Sequence, residues 1–212
     1  LRQRDKNTDE IYVGYSSPKT PSKVYLYNLS TKSKKLVKEQ EIPSGHHPDN
    51  YIIERVEFKS HDGRLVPLTI TRHKKTKIDG SANLLLYGYG SYGHSMSPSF
   101  SSTRLSLINR DIIWATAHIR GGMEKGMKWW KEGKLTNKKN TFEDYIYAAK
   151  YLIDNKYSSK GKIIGMGGSA GGLLMGAVVN KTPEVFLGII MAVPFVDSLT
   201  TNLDHSLPLT VG

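Results

Sequence analysis

Residues 165–172 read Gly-Met-Gly-Gly-Ser-Ala-Gly-Gly, and the apolar approach Lys162-Ile163-Ile164 leads into them. Within this stretch stands Gly167-x-Ser169-x-Gly171, the spacing of a nucleophile elbow. The pattern is steric in origin. A serine on a very tight strand-to-helix turn takes up a strained backbone conformation, and its neighbours must lack side chains for the turn to close. The turn lifts the hydroxyl clear of the sheet, while the following helix aims its free N–H groups and positive dipole end at the reaction centre. A bare G-x-S-x-G also describes an inert Gly/Ser turn. Here the context required of an elbow is present: a strand-like run comes before it, and Leu173–Thr182 reads as helix after it, closed by Pro183. The stretch therefore names Ser169 as candidate nucleophile and acyl transfer to water as the reaction class.

An acyl-transfer serine needs donors for the developing oxyanion. One is expected from the backbone N–H of Ala170, the residue after the nucleophile. A second should come from a loop after an earlier core strand. Tyr87-Gly88-Tyr89-Gly90-Ser91-Tyr92-Gly93 fits that place: it follows an apolar run, and its glycines permit close backbone approach. A tyrosine hydroxyl there could donate to the oxyanion, an effect typically worth ~3 kcal/mol of barrier. The same glycines superficially suggest a phosphate loop, but no Gly-Lys-Ser/Thr follows, so nucleotide binding is not expected.

The rest of the chain alternates in style. Ile11–Ser16, Val24–Leu29 and Lys35–Val37 read as short strands of an antiparallel meander too small to hold a core alone. Pro43–Pro48 breaks regularity and is taken as a domain boundary. Ile52–Lys59 and Leu65–Arg72 flank an Asp-Gly turn as a second hairpin. After it, Leu84–Tyr87, Ile112–Ala117, Ile163–Met166 and Leu187–Val193 are apolar runs of the kind expected of strands buried on both faces. Between them the clearest helix is Thr141–Asn155, with Phe142, Tyr145, Ile146, Ala149, Leu152 and Ile153 on one face and Thr141/Asp144 as a capping-box-like start. Strands alternating with helices predict an α/β fold with a mostly parallel, doubly wound sheet.

Composition narrows the function classes. The chain has 212 residues, of which 38% are hydrophobic, enough for one domain or one domain and a piece of another. It has no cysteine, which excludes disulfides and thiolate metal sites. No apolar run is long enough to span a membrane, and the charged start Leu1-Arg-Gln-Arg-Asp-Lys is no signal peptide, so a cytoplasmic location without membrane partners is expected. The first residue is not Met, which suggests a piece of something longer. Lys and Arg number 30 against 19 Asp and Glu, a net charge of +11, but the basic residues lie in small scattered groups with no interleaved aromatics. They read as solvated turns, and no nucleic-acid partner is expected. His46 and His47 resemble a metal pair without a third ligand at sensible spacing, so no metal site is assigned. Arg120 and Glu124 are read as a buried pair or as shaping the substrate side, and Trp129 and Trp130 as core or cleft-wall aromatics.

Tyr-Gly-Tyr-Gly-Ser-Tyr-Gly (87–93), Ile-Arg-Gly-Gly-x-Glu (119–124), Lys-Lys-Asn-Thr-Phe-x-Asp (138–144) and Gly-Gly-Ser-Ala-Gly-Gly-Leu-Leu-Met-Gly (167–176) occur in that order. Together they resemble the catalytic domain of the prolyl oligopeptidase family. The Gly-Gly-Ser-Ala-Gly-Gly form, the Gly-Ser-Tyr-Gly loop and Val193-Pro-Phe-Val-Asp197 are most similar to its oligopeptidase B branch. The resemblance implies a partial α/β-hydrolase preceded by a short β-meander from a β-propeller. Residues 1–45 would be the C-terminal blade remnant and 46–212 the N-terminal part of the peptidase domain. It also implies Ser169 as nucleophile, Tyr89 as side-chain oxyanion donor, the Ala170 N–H as backbone donor, and Tyr92 beside the primary specificity pocket. The implied activity is serine-type hydrolysis of short peptides after Arg or Lys, with no cofactor.

The match fails downstream of the serine. Triad order in this fold is Ser, Asp/Glu, His. Only Glu184, Asp197, Asp204 and His205 follow. Asp197 comes one strand too early, and His205 is disfavoured as the base. Ser97 and Ser99 stand where the branch carries two aspartates, which weakens a dibasic preference. The chain is therefore also readable as an inactive remnant, or as half of a split enzyme awaiting a second chain that carries the Asp and His. An esterase of the same fold is a further reading, disfavoured by the Tyr-Gly-Tyr-Gly loop.

Overall fold

A computed structural model describes residues 7–207. Two sheets organise them. The first is an antiparallel meander of β1 (Glu10–Ser17), β2 (Thr20–Asn28) and β3 (Lys34–Glu39). Its strands are exposed or half-buried for most of their length, as expected of a sheet with no second layer. The stretch 40–50 leaves it, and His46 stays tied to it through the Lys19 carbonyl at 2.7 Å.

The second sheet has six strands. In chain order these are β4 (Tyr51–Lys59), β5 (Leu65–His73), β6 (Leu84–Tyr87), β7 (Ile113–Ala117), β8 (Ile163–Gly168) and β9 (Phe186–Ala192), arranged β4-β5-β7-β6-β8-β9. The β4/β5 hairpin is antiparallel and adds antiparallel to β7, whereas β7, β6, β8 and β9 are mutually parallel. The order explains the composition of β6. It lies between two parallel neighbours, and its leucines are buried. The connections carry α1 (Ser102–Ile108), α2 (Met127–Lys131), α3 (Lys139–Asp154) and α4 (Ala170–Lys181), and α5 (Ser198–Leu203) follows β9. Residues from α3 and α4 pack with the sheet in the main core, while Leu105 and Ile108 of α1 form a second cluster with Tyr51 and Trp114. Helices thus cover both faces, giving the α/β-hydrolase type of doubly wound arrangement. No described helix is long and apolar enough to cross a membrane.

Two expectations are corrected. The first concerns β9. It forms a strand, but Leu187, Ile190 and Met191 are exposed, Leu187 at 59%. The cause is position: β9 is the terminal strand of the sheet, and no described element covers its outward side chains. The second concerns the start of α3. Lys138 is the cap residue and makes no side-chain capping bond. Thr141 Oγ1 instead donates to the carbonyls of Arg120 (2.8 Å) and Gly133 (3.1 Å), and Asp144 turns inward to Arg120. Tertiary partners outcompete the capping box for both side chains.

Because β6, β7, β8 and β9 run parallel, their C-terminal ends deliver four loops to one edge of the sheet, the edge where ligands bind in open α/β sheets.

Candidate active site

Ser169 is the hinge between β8 and α4, with φ 54° and ψ −119°. A non-glycine residue rarely adopts this conformation, and it persists only where the surroundings impose it. Both backbone groups of Ser169 are tied. Its N–H donates to the Ala192 carbonyl (2.9 Å), and its carbonyl accepts from Gly172 (2.8 Å) and Phe195 (3.0 Å). The segment after β9 thus clamps the turn. The glycines are required by contact: a Cβ on Gly167 would overlap the Gly171 carbonyl, and one on Gly171 would lie 3.0 Å from the Gly88 carbonyl.

A serine before a helix ordinarily caps it with its hydroxyl. Ser169 does not: α4 receives no side-chain capping bond, and the residue is exposed. The hydroxyl is left for other work. The N–H of Ala170, the first residue of α4, has no carbonyl one turn earlier to bond. It lies at the positive end of a helix of 12 residues.

The candidate for a second donor, Tyr89, lies in the loop after β6. Tyr89 packs against the elbow: a Cβ on Gly171 would lie 3.4 Å from Tyr89 Cδ2, and the Ser169 side chain acts on the ionisation of the Tyr89 phenol. Burial pushes the Tyr89 phenol above its ordinary value, Tyr92 and Tyr87 add to this, and the Ser169 side chain opposes it. The phenol therefore keeps its proton at neutral pH and can donate. His94 meets the Tyr89 ring edge-on at 5.6 Å. Tyr87, Tyr89, Tyr92, Gly93 and His94 line one cleft of about 550 Å³. Tyr92 is 45% exposed there.

Behind the cleft lies a buried ionic junction. Arg120 is 1% exposed. Its Nη2 donates to Asp144 Oδ1 at 2.6 Å, its Nε to Asp144 Oδ2 at 2.9 Å, and its Nη1 to Asp62 Oδ2 at 2.6 Å. Asp144 also accepts from Ser60 Oγ (2.6 Å) and the Arg120 N–H (3.0 Å). Burial opposes the Arg120 charge, but the hydrogen bonds with Asp144 and Asp62 more than offset it and raise its pKa. The expected Arg120/Glu124 pair does not form. Glu124 faces His118 instead, with Oε1 3.5 Å from Nδ1, and Oε1 accepts from the Met96 N–H (2.9 Å). Burial works against the Glu124 charge, and the nearby His118 ring and the Met96 N–H overcome it, so its pKa is lowered. Glu124 thereby fixes the 94–99 segment, in which Ser97 and Ser99 are exposed.

The remaining candidates stand apart. Asp197 caps α5 by accepting from Thr200 N–H (3.0 Å). Glu184 lies in the turn before β9, at the other end of the sheet from Ser169, and His205 is exposed. Among the described residues no histidine hydrogen-bonds to Ser169. Trp129 is buried, its Nε1 donating to the His118 carbonyl (3.1 Å), and the Lys134 ammonium stands 3.8 Å from the Trp130 ring centre. His47 sits exposed near Asp49. Reading the sequence alone missed Asp62, His94 and Lys138, whose partners are distant in the chain.

Residues 98–212 match the model of the Prolyl oligopeptidase family. The chain is 45% identical over 209 residues to dipeptidyl aminopeptidase BI of Pseudoxanthomonas mexicana, covering 98% of this chain and 29% of that protein. It is 42% identical over 210 residues to protease 2 of Moraxella lacunata, covering 99% of this chain and 30% of that protein. Oligopeptidase B from Leishmania major superposes with a TM-score of 0.90 at 40% identity, covering 97% of this chain and 29% of that one. Oligopeptidase B from Trypanosoma brucei, with covalently bound antipain, gives 0.90 at 37% identity, covering 96% and 29%. The chain thus spans less than a third of the length of these relatives, and it belongs to the prolyl oligopeptidase family.

Proposed function

We propose that this chain carries the nucleophile and oxyanion hole of an oligopeptidase B-like serine peptidase acting on short peptides after Arg or Lys. One observation carries the reading: Ser169 is held at φ 54° with its hydroxyl unspent on capping, in a turn against which Tyr89 packs. Ser169 Oγ attacks the scissile carbonyl carbon and loses its proton to a base. The Tyr89 hydroxyl and the Ala170 N–H hold the oxyanion of the tetrahedral intermediate. Expulsion of the leaving amine, which takes up that proton, gives an acyl-enzyme, and water releases the acid. A relative holding covalently bound antipain supports a covalent step. The base and its orienting acid are assigned to polypeptide outside the described residues, contiguous or on a second chain. The meander at residues 1–45 is proposed to be one blade of a β-propeller.

The test compares Arg-ester, Arg-amide, prolyl-amide and fatty-ester substrates on the protein carrying the base-bearing polypeptide, with Ser169→Ala as control. The proposal expects Arg-amide and Arg-ester turnover that the variant loses. Fatty-ester turnover alone would replace peptidase by esterase. Prolyl-amide preference would keep the chemistry and refute the basic specificity.

A further inference from the structure

Lys138 occupies a place where a lysine is poorly suited. It caps the N-terminal end of α3, where the helix dipole disfavours a cation. Its neighbour Lys139 is exposed and shows that water is within reach. The Lys138 ammonium nevertheless turns inward. Nζ donates to the Gly90 carbonyl at 2.6 Å and to Ser91 Oγ at 2.6 Å. Among the described residues it forms no ion pair, and burial pushes its pKa down to about 8. Desolvation, the dipole and the missing counter-ion all weigh against this arrangement, and the two hydrogen bonds to the loop are what it gains.

Those bonds fall where the loop has few others. The Gly88 N–H donates to Met166 O at one end of the loop, and the Gly93 N–H donates to Gly121 O at the other. Between these ends lie Tyr89 to Tyr92, and Ser91 is buried. Gly90 is wedged at φ +67°, where a Cβ would overlap the Thr141 methyl group of α3. The start of α3 is thus the wall against which the loop is set.

We propose that Lys138 is a positioning residue of the acyl-transfer site: its ammonium pins the Gly90–Ser91 backbone and thereby holds the Tyr89 phenol over Ser169. The inference rests on the reading of Tyr89 as oxyanion donor. The residue touches neither substrate nor the reacting atoms and acts through the loop.

The test is amide hydrogen exchange over residues 88–93, read by mass spectrometry, together with the rate of fluorophosphonate labelling at Ser169. Both are measured on the protein carrying the base-bearing polypeptide. Lys138→Met is expected to speed exchange of this loop roughly tenfold or more, as expected for losing a charge-assisted hydrogen bond, and to slow labelling by a similar factor. Lys139→Met is expected to change neither. Lys138→Arg, which keeps the donors, is expected to restore part of both. Ser91→Ala removes one acceptor without touching α3 and is expected to give a smaller change in the same direction, so it decides the matter if Lys138→Met does not fold. Unchanged exchange in folded Lys138→Met, or in Ser91→Ala where the former does not fold, overturns the anchor. A loosened loop with undiminished labelling overturns the positioning role. Absence of any Ser169 adduct in the wild-type protein overturns the acyl-transfer reading and this inference with it, and is distinguishable because exchange needs no reaction.

Discussion

The elbow at Gly167–Gly172 and the loop at Gly88–Gly93 lie against each other, a Cβ on Gly171 falling 3.0 Å from the Gly88 carbonyl, yet they are held by different means. The elbow is fixed mainly by backbone. Ser169 is tied through its own N–H and carbonyl, and Gly167 leaves room for the Gly171 carbonyl. The loop is fixed largely by side chains from elsewhere in the chain. Lys138 holds Gly90 and Ser91, the Tyr145 hydroxyl donates to Leu86 O at 2.5 Å, and the Arg120–Asp144 junction sets Gly121 and Thr141 behind it. The proposed nucleophile is thus built locally and its proposed oxyanion donor at long range. A substitution remote from the chemistry should therefore disturb Tyr89 more readily than Ser169.

The contrast is tested most severely at Asp144. Asp144→Ala leaves a buried guanidinium with only Asp62 as carboxylate partner, and losing one member of such a pair is expected to cost about 3–5 kcal/mol. Urea denaturation checks this, and a loss below about 1 kcal/mol would mean the junction is not what braces the loop. Next in size is Tyr89→Phe. It removes the proposed side-chain oxyanion donor and should slow acylation about 10²–10³-fold with stability nearly unchanged. Single-turnover kinetics read the first quantity and thermal melting the second. Gly167→Ala attacks the elbow itself. With backbone in the way, it should destabilise by about 1–3 kcal/mol and abolish labelling of Ser169, a result visible in paired melting and labelling experiments.

A final test is a pH signature of the loop anchor. The Lys138 pKa of about 8 in the folded protein lies below its ordinary 10.5, so between these values the unfolded chain binds more protons. Its contribution to stability therefore rises as pH climbs from about 8 towards 10.5. On the loop side the groups facing it are the uncharged Gly90 carbonyl and Ser91 hydroxyl, and on its own turn the adjacent cation Lys139 is exposed. Subtracting the Lys138→Met stability profile from that of the wild type should isolate the rise, and identical profiles would remove the anchor's titration from the account.

The same contrast explains what the sequence disclosed. The elbow, the core strands and the apolar face of α3 were legible because each is written in neighbouring residues at a fixed period: Gly167 and Gly171 around Ser169, Leu84–Leu86 as a continuous run, Tyr145, Ile146, Ala149 and Leu152 on one helical face. Thr141 and Asp144 carry a local capping pattern, but their partners are Arg120 and Gly133, and no periodicity links those positions. Lys138 opens the Lys-Lys-Asn-Thr-Phe-x-Asp stretch, yet nothing nearby in sequence points to Gly90. The exposed side of β9 was misread for a related reason. An apolar run says that a strand avoids water, not whether a neighbour is at hand to cover it.

The most direct test of the account is fluorophosphonate labelling followed by peptide mapping, on the protein carrying the base-bearing polypeptide. The account predicts one adduct, on Ser169, lost in Ser169→Ala and formed more slowly in Tyr89→Phe. An adduct on a different residue, or none in protein whose β8 and α4 are shown to be folded, would contradict it.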